Sequence, residues 1–286
     1  MAYRILVTGA SGQVGQAFQE LADTYPTMEF LFLDRKTLDI GDAEQIEQSF
    51  SNFQPTHCIN CAAYTAVDRA ESEPEQAKLI NVDAVALLAK ACLNIGAHFW
   101  HFSSDYVYDN SCNRPLKETD PTEPKSVYAQ TKLAGELAAL EVLPNTTIIR
   151  TSWVYASSGQ NFVKTMLRLG AKGNPLKVVV DQVGAPTFAK DLARTSLDII
   201  QQYAPTQLGG IFNYAPSGVC SWYDFAKAIF RIKDIHCTVA PIPSTGYPTP
   251  ASRPNYSILD THKIRETFGI SLPYWQDSLK SCLKEV

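Results

Sequence analysis

The chain has 286 residues, 45% of them hydrophobic, enough to bury one large core or two modest ones. A net charge of −4 with dispersed basic residues lacks the electrostatic footprint of a nucleic-acid binder. No apolar run approaches the roughly 20 residues of a membrane span, so no membrane partner is expected. Seven irregularly spaced cysteines argue against a disulfide framework and for a reducing cytoplasm, and five scattered histidines offer no metal-ligand spacing.

Residues 3–7 form a short apolar run suited to a buried parallel strand, which leaves no room for a leader peptide. Gly9, Gly12 and Gly15 follow at three-residue intervals, and a helical pattern covers 14–21. This layout suits a pyrophosphate. Glycine allows the turn and a close backbone approach, and the helix start aims free N–H groups at the phosphates. A second strand at 30–33 ends in Asp34-Arg35, about 20 positions past the glycines, where a dinucleotide site places a carboxylate against ribose hydroxyls. Arg35 suits a 2′-phosphate, so NADH and NADPH both stay open.

Asp39-Ile40-Gly41-Asp42 reads as a turn, with Asp42 capping a helix over 43–53. A third strand at 58–63 ends in the small residues Ala62 and Ala63, leaving room for a ligand over the sheet edge. Cys58 and Cys61 lie within it on opposite faces, which favours a structural role over a metal or redox one. One long helix is predicted over 72–94, ended by Gly96.

A fourth strand at 99–104 carries a polar end, Ser103-Ser104-Asp105-Tyr106, to the same edge. A loop at 109–125, a helix from Ser126 to Glu141 and a strand at 147–151 follow. Helices over 161–172 and 188–202 then flank a strand at 178–180, and 210–214 is the last strand of the sheet. The alternation predicts an α/β protein, a Rossmann-like doubly wound parallel sheet with a smaller C-terminal substrate-binding lobe. Residues 1–154 would form the dinucleotide-binding domain, completed by about 160–180 and 188–215. The lobe would take 216–286 plus about 181–187.

Tyr128 and Lys132, four apart, share one face of a helix. A phenol titrates near 10, and an ammonium beside it stabilises the phenolate and lowers that value towards the range useful for acid–base work. Lys132 also suits the ribose of a nicotinamide nucleotide. Ser104 offers a hydroxyl to share a substrate oxygen with Tyr128, and that oxygen gains negative charge as hydride reaches a ketone carbon.

With these residues the chain resembles the extended short-chain dehydrogenase/reductase family over nearly its whole length. CAAYTAVDRAE at 61–71, SDYV at 104–107, RTSWVY at 150–155, NFVKTM at 161–166, DQVGAPT at 181–187 and YPTPASRP at 247–254 carry a narrower similarity. They match a group of its members that reduce the C4 ketone of a dTDP-deoxysugar for cell-surface polysaccharide. The resemblance implies that Gly12, Gln13 and Val14 touch the pyrophosphate, Asp34 the adenosine side, and Asp39 and Ile40 the adenine. Ala63, Tyr64 and Thr65 would lie near the nicotinamide half. Tyr128 would donate the proton, Lys132 would orient cofactor and phenol, and Ser104 and Asp105 would bind the sugar. Trp153 would stack on the deoxyhexose, Asn161 would contact substrate, and Arg253 and Asn255 would meet the phosphates.

Two departures from the family pattern stand out. Ser104 replaces a common threonine and keeps the hydroxyl. Ala17 and Lys190 stand where some members carry glutamates that bridge a dimer through magnesium, so a monomer or weak homodimer without that metal is expected. A dehydratase would need an acid after Asp105, where Tyr106 stands. An epimerase would recycle the nicotinamide rather than consume it. A non-catalytic regulatory subunit, similar to that of methionine adenosyltransferase, would lack catalytic side chains, yet Ser104, Tyr128, Lys132 and Trp153 are present.

Overall fold

The computed structural model describes residues 3–108 and 113–286. Residues 109–112 of the predicted 109–125 loop lie outside the described residues. The first half runs β1 Tyr3–Thr8, α1 Gln13–Leu21, β2 Met28–Leu33, α2 Ala43–Phe53, β3 His57–Asn60, α3 Val67–Ala70, α4 Pro74–Lys78, α5 Ala84–Ile95, β4 His98–Ser104, α6 Val127–Val142 and β5 Thr147–Thr151. The second half runs α7 Phe162–Gly170, β6 Leu176–Val179, β7 Val183–Gly184, α8 Ala189–Gln202, β8 Gly210–Tyr214, β9 Cys220–Ser221, α9 Trp222–Ile232, β10 Val239–Ile242, β11 Tyr256–Ser257, α10 His262–Phe268 and α11 Trp275–Lys284.

The main sheet has the order β2-β1-β3-β4-β5-β8, with every pair parallel. Strand order reverses beside β1, so the crevice at the carboxyl ends of β1 and β3 is a topological switch point. Both faces of the sheet are covered, which explains the near-continuous apolar strands. Ile5 and Val7 of β1 face one core with Phe18 of α1, Leu197 of α8 and Phe268 of α10. Leu6 faces the other, with Phe50 of α2 and Leu88 of α5.

Local signals account for most boundaries. Asp42 caps α2 by accepting from Glu44 and Gln45 N–H, and Ser126 caps α6 by accepting from Ala129 N–H. Three expectations are corrected. The third strand stops at Asn60 rather than residue 63, because the Asn60 side chain accepts the Ala62 N–H and turns the chain out of the sheet. The predicted helix over 72–94 is α4 and α5 joined by a π-turn at Leu79–Asp83. Its Asn81 bonds both backbone groups of Tyr64 and the Thr131 hydroxyl of α6.

The third correction concerns the domain boundary. Residues 160–180 do not complete the main sheet. β6 pairs with β10 in a separate two-stranded sheet, and α7 packs with α9 and α11 in a second aromatic-rich core. Conversely α10, placed in the lobe by sequence, buries Ile264 and Phe268 in the main core. β7 lies between β11 and β9 in a separate three-stranded sheet.

Candidate active site

The glycine turn sits at the switch point with little free space. Gly9 has φ +65°, and a Cβ there would lie 2.5 Å from the Ala62 nitrogen. A Cβ on Gly15 would overlap the Gly9 carbonyl. Gly12 is the residue before α1, so the first N–H groups of that helix open onto the turn. The cradle fits a pyrophosphate for these reasons. A cavity of about 540 Å³ beside it is lined by Gly9, Gly12, Asp34, Arg35, Asp39, Ile40, Ala62, Ala63 and Tyr64. Asp34 does two things there. Its Oδ1 accepts from Lys36 and Thr37 N–H, which holds its carboxyl below the usual range, and its side chain borders the cavity.

A second cavity, about 640 Å³, adjoins the first and shares Gly12 and Ala63 with it. Gln13, Val14, Thr65, Ser104, Asp105, Tyr128, Lys132, Trp153 and Asn161 all border it. The fourth strand and α6 thus bring the hydroxyl, phenol and ammonium to the end of the glycine cradle. Ser104 donates to Asp105 Oδ1 at 3.1 Å, and its hydroxyl favours the charged form of the Tyr128 phenol. The Tyr106 ring stands edge-on to Tyr128 at 5.7 Å and 83°.

The electrostatics correct one expectation. Lys132 does not lower the Tyr128 phenol here. Its Nζ donates to the Phe102 carbonyl at 2.7 Å, which holds its charge against β4, and lies 3.4 Å from His101 Nε2. Burial pushes Tyr128 up to about 12, with the Ser104 hydroxyl opposing the rise and the Asp105 carboxylate adding to it. Burial likewise lowers Lys132 to about 8, against an upward pull from Glu136. Asp105, 2% exposed, is raised to about 6 by desolvation. The Ser257 hydroxyl beside it favours its charge, but the two do not close a hydrogen bond, and Asp105 Oδ2 stays unpartnered.

On the lobe side the predicted residues are more engaged than expected. Trp153 lines the cavity with one face of its ring stacked on Trp222 at 3.7 Å and 12°, and Gly184 lies close enough that a Cβ there would meet the ring at 2.9 Å. Asn161 caps α7 through Oδ1 and spends its amide N–H groups on Gln13 Oε1 and the Ala156 and Ser158 carbonyls. It is thus also a strut between the lobe and α1. Arg253 forms a bidentate pair with Asp68 at 2.7 and 3.0 Å, and Ala251 N–H also donates to Asp68. Arg253 and exposed Asn255 border a further cavity of about 530 Å³, which shares Phe162 and Trp222 with the central one.

Sequence reading missed Asn60, Asp68, Asn81, His101 and Trp222. Asn81 and Asp68 act across gaps that no local pattern marks, and His101 sits inside an apolar strand where the bland reading is a core residue. Cys58 is fully buried, and no cluster of three metal-ligating side chains occurs among the described residues.

A family model described as the RmlD substrate binding domain matches residues 3–286. A dTDP-4-dehydrorhamnose reductase from Sinorhizobium fredii is 42% identical over 97% of this chain and 95% of that protein. The chain belongs to the dTDP-4-dehydrorhamnose reductase family. A spore coat polysaccharide biosynthesis protein from Bacillus subtilis is similar too, 37% identical over 99% of this chain and 97% of that one. The crystal structure of a family member from Bacillus anthracis in complex with NADP superposes with a TM-score of 0.95 at 34% identity, covering 100% of both chains. The two cavities described above lie on the fold that this reductase family shares.

Proposed function

We propose that the protein reduces the C4 ketone of dTDP-4-dehydro-L-rhamnose to dTDP-L-rhamnose at the expense of NADPH or NADH. The product would feed cell-surface polysaccharide synthesis. One observation carries this reading: the Ser104 hydroxyl, Tyr128 phenol and Lys132 ammonium border one cavity, and that cavity adjoins the glycine cradle.

The reduced nicotinamide, when bound, supplies the hydride. This chain's residues handle charge and proton. Tyr128, held near 12, keeps its proton throughout the neutral range and is ready to give it to the ketone oxygen as negative charge grows there. The Ser104 hydroxyl shares that oxygen and steadies the phenolate left behind. Lys132, anchored on the Phe102 carbonyl, has further N–H groups for the ribose of the cofactor. Asp34 and Arg35 serve its adenosine end, and Arg253 with Asn255 serves the substrate's diphosphate.

The protein would act in the cytoplasm as a monomer or weak homodimer without a magnesium bridge. Support comes from Lys190, which spends its ammonium on Glu20 and Glu285 of the same chain at 3.2 and 2.8 Å. No helix among the described residues is long and apolar enough to cross a membrane. The test is turnover of dTDP-4-dehydro-L-rhamnose with each reduced cofactor in parallel, followed by nicotinamide absorbance. One mole of cofactor consumed per mole of sugar is expected. Isomerised sugar without net consumption would favour an epimerase, and binding without conversion a regulatory subunit.

A further inference from the structure

Lys132 is 2% exposed, and the atoms behind it form a buried chain back to the first strand. His101 of β4, 0% exposed, faces Lys132 Nζ through Nε2 at 3.4 Å and Asn60 Nδ2 through Nδ1 at 3.1 Å. Asn60 Oδ1 accepts from the Ala62 backbone N–H at 3.1 Å and from the Thr8 hydroxyl at 2.6 Å. A backbone N–H only donates, so it fixes which end of the Asn60 amide is oxygen. The Asn60 NH2 then points at His101 Nδ1, which must accept. Burial and the nearby ammonium hold His101 well below its ordinary value, so the ring is neutral and carries one proton. With Nδ1 accepting, that proton sits on Nε2. A donor therefore meets the lysine.

We propose that Asn60 and His101 are positioning residues that hold an N–H against Lys132, leaving the Phe102 carbonyl as its one protein acceptor among the described residues. The remaining N–H groups of the ammonium are thereby kept for a bound ligand. A donor turned towards an ammonium disfavours the charged form, as burial does, and Lys132 stands at about 8. Other groups face it from each neighbouring element. Tyr128 and Glu136 lie one turn away on α6, and Glu136 is held by Arg150 of β5 at 2.6 Å. Asp105 follows β4 and Cys61 follows β3 at the same cavity. Glu136 and the Phe102 carbonyl oppose the loss of the lysine's proton.

The effect on turnover rests on the proposed reduction, whereas the tautomer does not. Long-range ¹H–¹⁵N spectra of the full-length protein read the imidazole protons directly, with His101 assigned by the signals lost in His101→Gln. The wild type is expected to carry its His101 proton on Nε2. In Asn60→Asp the carboxylate keeps the Ala62 and Thr8 bonds but accepts from Nδ1–H, so the proton moves to Nδ1 and an Nε2 lone pair turns to Lys132. The alkaline limb of kcat/KM should then move up by about one pH unit or more. A wild-type proton on Nδ1 overturns the proposal, whether or not the variant folds. A switched tautomer with an unmoved alkaline limb overturns the link to Lys132. Absent turnover in a wild type that carries the Nε2 proton would support the positioning and sink the reductase reading instead.

Discussion

The two halves of the crevice are built on different principles. The cradle of the proposed cofactor half is made of backbone: a glycine turn, the start of α1 and the small residues after β3, all within the first 65 positions. The substrate half is made of side chains from distant segments, including Trp153 on Trp222, Asn161 on Gln13 and Arg253 on Asp68. A backbone cradle is preformed and tolerates no added atoms. Side-chain clasps close by long-range pairing, and they can be removed one at a time with graded effect.

The sharpest contrast comes from Gly15→Val. Its Cβ would overlap the Gly9 carbonyl and spoil the turn, so NADP binding should weaken by at least about 100-fold, equivalent to roughly 3 kcal/mol. Calorimetric titration reads this, and tight binding by the variant would show the cradle to be pliant.

Asp105 lies at the seam between the halves, and its effect appears in stability against pH. Its folded value of about 6 is above the ordinary 3.8, so the folded protein holds a proton that the unfolded chain releases. Stability therefore falls as pH rises from about 4 to about 6 and stays lower above that window, by up to about 3 kcal/mol. Urea midpoints at pH 4 and pH 8 should show this loss in the wild type, and Asp105→Asn should flatten the slope.

On the substrate side, Arg253→Ala should raise KM for the nucleotide sugar roughly 30-fold, about 2 kcal/mol of charge-assisted bonding, with kcat within a few-fold. A fall in kcat with KM unchanged would move Arg253 out of diphosphate binding. The smallest effect belongs to the cap of α6. Ser126→Ala removes the acceptor for the Ala129 N–H and should cost about 1 kcal/mol in denaturant unfolding.

The same contrast explains what could be read in advance. Gly9, Gly12, Gly15 and Asp34 announce themselves because their geometry depends on neighbours in sequence. β1 and β5 run where the apolar runs predict, to within a residue. The apolar run at 178–180 reads as another strand of the sheet; the strand lies at 176–179 instead, and its pairing is decided by 239–242, far along the chain. The direction of the Tyr128 shift was misread for a similar reason. Helical spacing places Lys132 near the phenol, while the burial and the Asp105 charge that raise it come from tertiary packing. Trp153 at the cavity wall was legible, and Trp222, which stacks on it, was not.

The central claim is that Tyr128 gives its proton to the substrate oxygen in a reduction that consumes the nicotinamide. Single-turnover reduction of dTDP-4-dehydro-L-rhamnose by wild type and Tyr128→Phe, with NADPH affinity measured in both, tests it most directly. Unchanged NADPH affinity with a rate lowered by about 10²–10⁴-fold is the predicted result. A Tyr128→Phe enzyme that consumes NADPH at the wild-type rate would contradict the account.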